Sequence, residues 1–385
     1  MTPTRTILYV NFSGVASDRM FRRRLDGIRR YAKARGVEVA TLGQRDGRPE
    51  EVPQILEKLR PVGCVVEIPD MEPKYFASVP ILVFDPPPYQ DWSAAISVAC
   101  DEKAVAEAAF RELSAEDPPI YAVVSYWQFD SRWAIERAEV FKGLCRKEGK
   151  ECLSFRSRKD ETPEERAARL GEWVAALPRR CAIFAVNDAI ASDVSGALGA
   201  SRRAMPHDAT LVGANGDATD EDAAMQDISS VKIDFELSGY LAAKALLAWA
   251  SCHARKREVP VFGPLLVDRR KSTRGRGRRM PFVLEAVETI RRRACDGLSV
   301  AELVRRSGVS KSLFNLRFRE AVGHSARDEI EHVRLDRVFT LLAETDVPIG
   351  VISDMCGFGS RIELRKIFRA RTKTSMTKWR AIRRE

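Results

Sequence analysis

Ser299-Val-Ala-Glu-Leu-Val-Arg-Arg-Ser-Gly308-Val-Ser310-Lys-Ser-Leu-Phe-Asn-Leu-Arg-Phe318 and, further on, Pro348-Ile-Gly-Val-Ile-Ser-Asp-Met-Cys-Gly357-Phe-Gly-Ser360-Arg-Ile-Glu-Leu-Arg-Lys-Ile-Phe368 have one grammar. In each, a short segment with apolar residues at helical spacing stops at a glycine, and a helix that opens on polar residues follows at once. Two helix-turn-helix units in tandem are therefore expected in the last third of the chain.

The local chemistry supports this. Ser299 followed three residues later by Glu302 predicts a capping box. Val300, Leu303 and Val304 then share a face, Gly308 supplies the turn, and Ser310 is placed to cap a second helix that buries Leu313, Phe314 and Phe318. In the second unit Pro348 suits a first turn, Ile349, Ile352 and Met355 are expected as the buried stripe, and Ser360 as the next cap. Between the units, Ala326 to Glu344 reads as one long helix with a broad apolar face from Ile330 to Leu342.

Residues 281–385 resemble the DNA-binding domain of the AraC/XylS family of bacterial transcription factors. The matching residues are Gly357-Phe358, Ser360, Leu364, Phe368-Arg369 and Trp379-Arg380. Lys373 stands where that family usually has glycine, Met376 where it has proline, and Leu316 where a basic residue often touches DNA. The second helix of each unit is expected in the major groove, the two about one helical turn, roughly 34 Å, apart. Expected DNA-contacting residues are Lys311, Ser312, Asn315 and Arg319 in the first reader and Arg361, Arg365, Lys366 and Arg369 in the second. Arginine pairs in bidentate fashion with guanine and asparagine with adenine, so Arg361, Arg365 and Asn315 are the expected base readers.

A chain of 385 residues exceeds what one core usually holds. Its formal net charge of +10 suits a polyanionic partner, with basic residues crowded into Arg269-Arg270-Lys271, Arg274 to Arg279 and the tail. The stretch 269–280 reads as a basic, glycine-bearing linker. The eight cysteines are dispersed, without Cys-x-x-Cys, and no histidine sits at metal-ligand spacing, so no metal and no cofactor is expected. No leader and no bilayer-length apolar run is apparent, which predicts a cytoplasmic, nucleoid-associated protein without a membrane partner.

Before the linker, apolar runs alternate with helical stretches: Thr6–Asn11 then Met20–Arg35, Gly63–Ile68, Ile81–Phe84, Lys103–Ser114, Ile120–Tyr126 then Trp133–Lys147, Cys181–Val186 then Ala189–Leu198, Thr210–Ala214 and Gly239–Ala250. Such alternation predicts an α/β domain with doubly wound parallel sheets, here in two lobes across a cleft, over residues 1–268. Ligands of these sheets sit beyond the carboxyl ends of the strands, which selects Asn11, Asn187-Asp188 and Asn215. This segment resembles the periplasmic-binding-protein-like sensor of the LacI/GalR family. The resemblance rests on Phe21-Arg22-x-x-Leu25-x-Gly27-Ile28, Ser131-Arg132-Trp133 with Arg137-x-x-x-Phe141, Val186-Asn187-Asp188, Leu211 to Asn215, Ser229-Ser230-Val231 and Gly239-Tyr-x-Ala-Ala. Val140 replaces a usual glycine there and Asn215 a usual aspartate. It implies a sugar site drawing on Arg22, Arg132, Trp133 and Arg137 as well. Planar amide, carboxylate and guanidinium groups pair with hydroxyls, and Trp133 or Trp92 offers an apolar face to a sugar ring. Asn187, Asp188 and Asn215 equally suit helix caps and turns, and Arg22 and Arg137 suit buried ion pairs.

The expectation is a sequence-specific transcription regulator, an activator by family resemblance, gated by a small sugar. Its partners would be double-stranded promoter DNA, a monosaccharide, a second copy of the chain and RNA polymerase. Two other classes stay open. A sugar-modifying enzyme with a basic tail lacks a visible nucleophile elbow, Walker loop or metal cluster, so no catalytic residue is named. A nonspecific architectural DNA binder would show a steep salt slope and little sequence preference.

Overall fold

The computed structural model describes residues 5–12, 19–43, 46, 48–67, 71–84, 92–93, 95–127, 132–216, 225–252, 259–273, 281–345, 347–372 and 374–382. The chain divides into two compact units, Met1–Gly277 and Arg278–Glu385.

The first unit opens with β1 (Thr6–Asn11), α1 (Arg19–Lys33), β2 (Glu38–Gly43), α2 (Val52–Leu59), β3 (Gly63–Glu67), β4 (Ile81–Phe84) and β5 (Ile96–Cys100). It continues with α3 (Glu102–Leu113), β6 (Ile120–Ser125), α4 (Arg132–Lys147), β7 (Cys152–Arg156), α5 (Pro163–Ala176), β8 (Cys181–Ala185), α6 (Asp188–Ala200), β9 (Ala209–Asn215) and β10 (Ser229–Ile233). It closes with α7 (Phe235–Cys252), β11 (Val261–Phe262) and β12 (Pro264–Asp268). Two six-stranded sheets result, in the orders β11-β5-β4-β3-β1-β2 and β12-β10-β9-β8-β6-β7. Among the described residues all pairings are parallel except β10 with β12. The doubly wound, two-lobed expectation holds, with one antiparallel edge added.

Both faces of the first sheet are covered, as parallel sheets require. Ile7 and Tyr9 of β1 enter one apolar cluster, and Leu8 and Val10 enter another beneath α2 that also takes in Trp92. The lobes exchange helices. After β5 the chain crosses so that α3 packs on β8, β9, β10 and β12, and after β10 it crosses back so that α7 packs on α1 and on β3, β4 and β5. The α1–α7 contact is backbone to backbone. A Cβ on Gly27 would stand 1.9 Å from the Glu236 carbonyl oxygen, and one on Gly239 would stand 1.9 Å from that of Arg24.

The expected linker starts later than 269. Arg270, Ser272 and Thr273 are buried, because the hydroxyl of Ser272 donates to the Leu211 carbonyl at 2.5 Å and the Arg269 guanidinium meets Glu112 at 2.5 Å. Positions 274–280 lie outside the described residues.

The second unit holds α8 (Pro281–Arg293), α9 (Val300–Ser307), α10 (Lys311–Val322), α11 (Ala326–Glu344), α12 (Ile349–Met355), α13 (Arg361–Thr372) and α14 (Met376–Ile382). Here α9–α10 and α12–α13 are the two helix-turn-helix pairs, joined by α11. Ser299 caps α9 and Ser310 caps α10 through the amides of Glu302 and Leu313, while Gly308 takes φ +65° between them. Only half of the anticipated capping box forms, since the Glu302 carboxylate accepts from Arg293 at 2.7 Å. In α12 the buried stripe is Ile352, Ser353 and Cys356, and Met355 is exposed. Seven residues, not six, return a helix to the face on which Ile349 starts.

Candidate ligand cleft and nucleic-acid interface

Helical periodicity decides which arginines face inward. In α1 the buried positions are Arg24, Gly27, Ile28, Tyr31 and Ala32, and Arg22 lies on the exposed side. The inward guanidinium of this helix is therefore Arg24, at the end of the first sheet. Its Nη1 lies 2.6 Å from Glu67 Oε2 at the end of β3, and its Cζ stands 4.0 Å over the Phe84 ring at the end of β4. Tyr9 Oη donates to the other Glu67 oxygen at 3.0 Å. Asn11 closes β1 beside Glu67 in register and is half-buried. A glutamate inside the otherwise apolar run Gly63-Cys-Val-Val-Glu67-Ile68 was the sequence signal for this cluster; it lies in the expected strand, but the acid was not singled out as a site residue.

The second lobe repeats the device with other residues. Arg137 of α4 is 3% exposed. Its Nε is 2.5 Å from Glu102 Oε2, and its Nη1 donates to the Val186 carbonyl at 2.8 Å and to Asn215 Oδ1 at 3.1 Å. Trp133, one turn earlier, lies under the same guanidinium at 4.7 Å. Asn215 ends β9 at φ +105°, a conformation asparagine tolerates better than most residues. Asn187 caps α6, its Oδ1 accepting from the Ile190 amide at 2.8 Å. Asp188 is buried with its Oδ1 against Gly213, where a Cβ would approach to 2.3 Å.

The structure thus brings Trp133, Arg137 and Asn215 together and sets Asn187 and Asp188 beside them at the mouth of β8. Arg22 and Arg132 are both exposed. Arg132 is the first residue of α4, its side chain 92% exposed and 3.9 Å from Glu136, because it sits at the solvent end of the helix before the first inward turn.

Lys232 of β10 is a further buried cation that sequence reasoning passed over. Burial pushes its pKa down, against the pull of Asp268 at 3.7 Å, and Arg19, Arg23 and Arg270 push the same way as burial.

In the second unit Lys311, Ser312, Asn315 and Arg319 are all exposed on α10, and Arg361, Arg365, Lys366 and Arg369 are exposed on α13, while Phe314, Phe318, Leu364 and Phe368 hold the two helices down. Arg361 folds back over α12, so that a Cβ on Gly350 would stand 2.5 Å from its Cζ. Two residues that were not singled out as contacts share the reader faces: Leu316 and Ile362 are 55% and 79% exposed. An apolar side chain displayed between arginines at the start of a reader helix suits a thymine methyl group. Trp379, from the terminal motif, packs against Phe339 and Phe368 at 5.2 and 6.2 Å, and Arg380 donates to the Val347 carbonyl at 2.7 Å, which ties α14 to the second pair.

A periplasmic binding protein-like domain model matches residues 120–273, and a helix-turn-helix domain model matches residues 303–382. The xylose operon regulatory protein of Escherichia coli (strain K12) is 28% identical over 292 residues, 74% of each chain. That of Haemophilus influenzae (strain ATCC 51907 / DSM 11121 / KW20 / Rd) is 26% identical over 266 residues, covering 68% of this chain and 69% of its own. Among solved structures, a xylose-binding transcription activator aligns over 99% of both chains at a TM-score of 0.55 and 23% identity. The complex of the transcriptional regulator CelR with cellobiose aligns over 70% of this chain and 86% of its own, at a TM-score of 0.56 and 20% identity. The first of these structures shares the two-part architecture over 99% of both chains. No described helix is long and apolar enough to cross a membrane.

Proposed function

We propose that this chain, a DNA-binding transcription regulator with a periplasmic-binding-protein-like sensor ahead of tandem helix-turn-helix units, is an activator gated by a monosaccharide rather than a catalyst. The observation that carries the reading is the presence in one chain of two reader helices, each with an exposed basic face, and a two-lobed domain with polar groups gathered at its strand ends. Trp133, Arg137, Asn187, Asp188 and Asn215 of the second lobe, with Asn11 opposite, would form the sugar site. A planar amide or carboxylate offers paired hydrogen bonds to adjacent hydroxyls, and the Arg137 guanidinium fixes the Asn215 amide for that role. A pentose such as xylose is the first candidate, since the relatives above are named for it.

On DNA, Arg365 and Asn315 would read base edges, with Lys311, Ser312, Arg319, Arg361, Lys366 and Arg369 supporting from base edge or phosphate. Ligand acts by its difference in affinity between two arrangements of the sensor, and through residues 274–280 would bias the placement of the readers. The working form would be a homodimer on paired half-sites, at the nucleoid in the cytoplasm, with RNA polymerase as the recipient of the signal.

The test is thermal unfolding of the full chain against pentoses, hexoses and their phosphates, followed by promoter binding with any stabiliser. A ligand at 100 times its Kd should add about 2.7 kcal/mol to the sensor transition. One stabilising sugar that also shifts DNA affinity supports the reading. No stabilisation by any of them would remove the sugar, and turnover of a sugar would replace the regulator by an enzyme.

A further inference from the structure

Two of the four histidines of the chain meet at the corner after the first reader helix. His324 lies in the turn Gly323-His324-Ser325 between α10 and α11, and Glu329 and His332 follow on α11. His324 Nε2 is 2.7 Å from Glu329 Oε2, and the two imidazole rings stand 5.1 Å apart, edge to face. One ligand atom from each of the three residues lies within 4.8 Å of the others, and all three side chains are half-buried. We propose that His324, Glu329 and His332 form a binding site for a divalent first-row transition ion of the zinc class.

Glu329 and His332 are three apart on one helix, so both project from the same face. The third ligand comes from outside the helix, and this hides the site from a reading by sequence spacing. Its place is fixed in advance: Ser325 caps α11, its hydroxyl accepting from the Asp328 amide at 3.2 Å while the Asp328 carboxylate accepts from the Ser325 amide at 3.2 Å. A tetrahedral ion with bonds of about 2.0–2.1 Å needs donor atoms about 3.3 Å apart, so the widest pair has to close by no more than about 1.5 Å, within the reach of side-chain rotation. Two imidazoles and one carboxylate select zinc, cobalt, nickel or copper over magnesium or calcium. Three protein ligands leave a fourth position for water or for Asp336, one turn beyond His332 on the same face.

Bound there, the ion would fasten the end of α10 to α11. The first reader helix would then be held at both ends, by the Ser310 cap at its start and by the ion beyond its last turn. Metal supply would set the rigidity of the first reader without touching its contact face.

The experiment is titration of the full, metal-stripped, reduced protein with cobalt(II), followed by competition with zinc(II). Expected are one ion per chain with weak visible bands, no near-ultraviolet thiolate band, displacement by zinc, and a rise in the unfolding temperature of the second unit that grows with zinc concentration. His324→Asn, in the half-exposed turn, and Glu329→Gln should each weaken cobalt binding at least tenfold while lowering metal-free unfolding only slightly, by the change at the His324–Glu329 hydrogen bond, and His207→Asn should leave cobalt binding intact. Absence of cobalt binding, a thiolate band, or equal binding by His324→Asn and Glu329→Gln would overturn the proposal.

Discussion

Arg137 holds Asn215 from the opposite side of its own ion pair: Nη1 donates to Asn215 Oδ1 at 3.1 Å while Nε faces Glu102 at 2.5 Å. A structural ion pair and a ligand-facing amide therefore share one guanidinium. Arg137→Ala should destabilise the sensor by about 3–5 kcal/mol, because it removes one member of a buried ion pair together with its bonds to Val186 and Asn215. The check is the urea midpoint of the sensor transition. Arg132→Ala, on the same helix but exposed, should shift it by less than about 0.5 kcal/mol.

On DNA, Arg365→Ala is expected to cost about 1–3 kcal/mol on the cognate site and to relax preference at one base pair. Ile362→Ala should cost about 1 kcal/mol, lost only where a thymine methyl lies opposite. Binding to a panel of single-base operator variants separates these outcomes. A uniform loss with a shallower salt slope would make Arg365 a phosphate contact.

Lys232→Met should stabilise the sensor near neutral pH by roughly 1 kcal/mol or more. Asp268 would not be orphaned, since Arg270 reaches the same oxygen at 2.7 Å. The folded-state pKa of Lys232 is lowered by burial from 10.5. Protonation therefore favours the unfolded chain, and the penalty is full below the folded pKa and disappears as pH rises through it towards 10.5. The advantage of the methionine variant, measured by denaturant unfolding at pH 7 and near pH 10, should shrink at the higher pH.

Gly27→Ala and Gly239→Ala should each destabilise the first lobe by about 1–3 kcal/mol or more, because the new methyl group would meet backbone rather than a movable side chain. Gly171→Ala, on α5 with nothing near its Cβ direction, should be neutral or slightly stabilising. Thermal unfolding of the three variants side by side makes the comparison.

The helix-turn-helix pairs were readable because their signals are local: Ser299, Gly308, Ser310 and Ser360 each act on residues three or four away. The two-sheet plan was readable from the buried central strands β1, β3, β6, β8 and β9. The half-exposed strands β2, β5 and β7 went unread, and so did β10, which is buried throughout but mixes Ser229, Ser230 and Lys232 with apolar residues. Strand ends selected Asn11, Asn187, Asp188 and Asn215, which lie at or just after the ends of β1, β8 and β9. Motif resemblance selected Arg22, and helical phase turns Arg24 inward. The pairs Arg24–Glu67 and His324–His332 join residues whose proximity is set by tertiary packing or by a turn, and no periodicity encodes that.

The late start of the linker also has mechanical meaning. Glu112, in the last turn of α3, takes the Arg269 guanidinium on one oxygen and the Thr273 hydroxyl on the other at 3.0 Å, while Ser272 is stitched to β9 and β10. The start of the tether is moored to the second lobe. Any shift of α3, β9 or β10 would therefore be felt at once at Thr273.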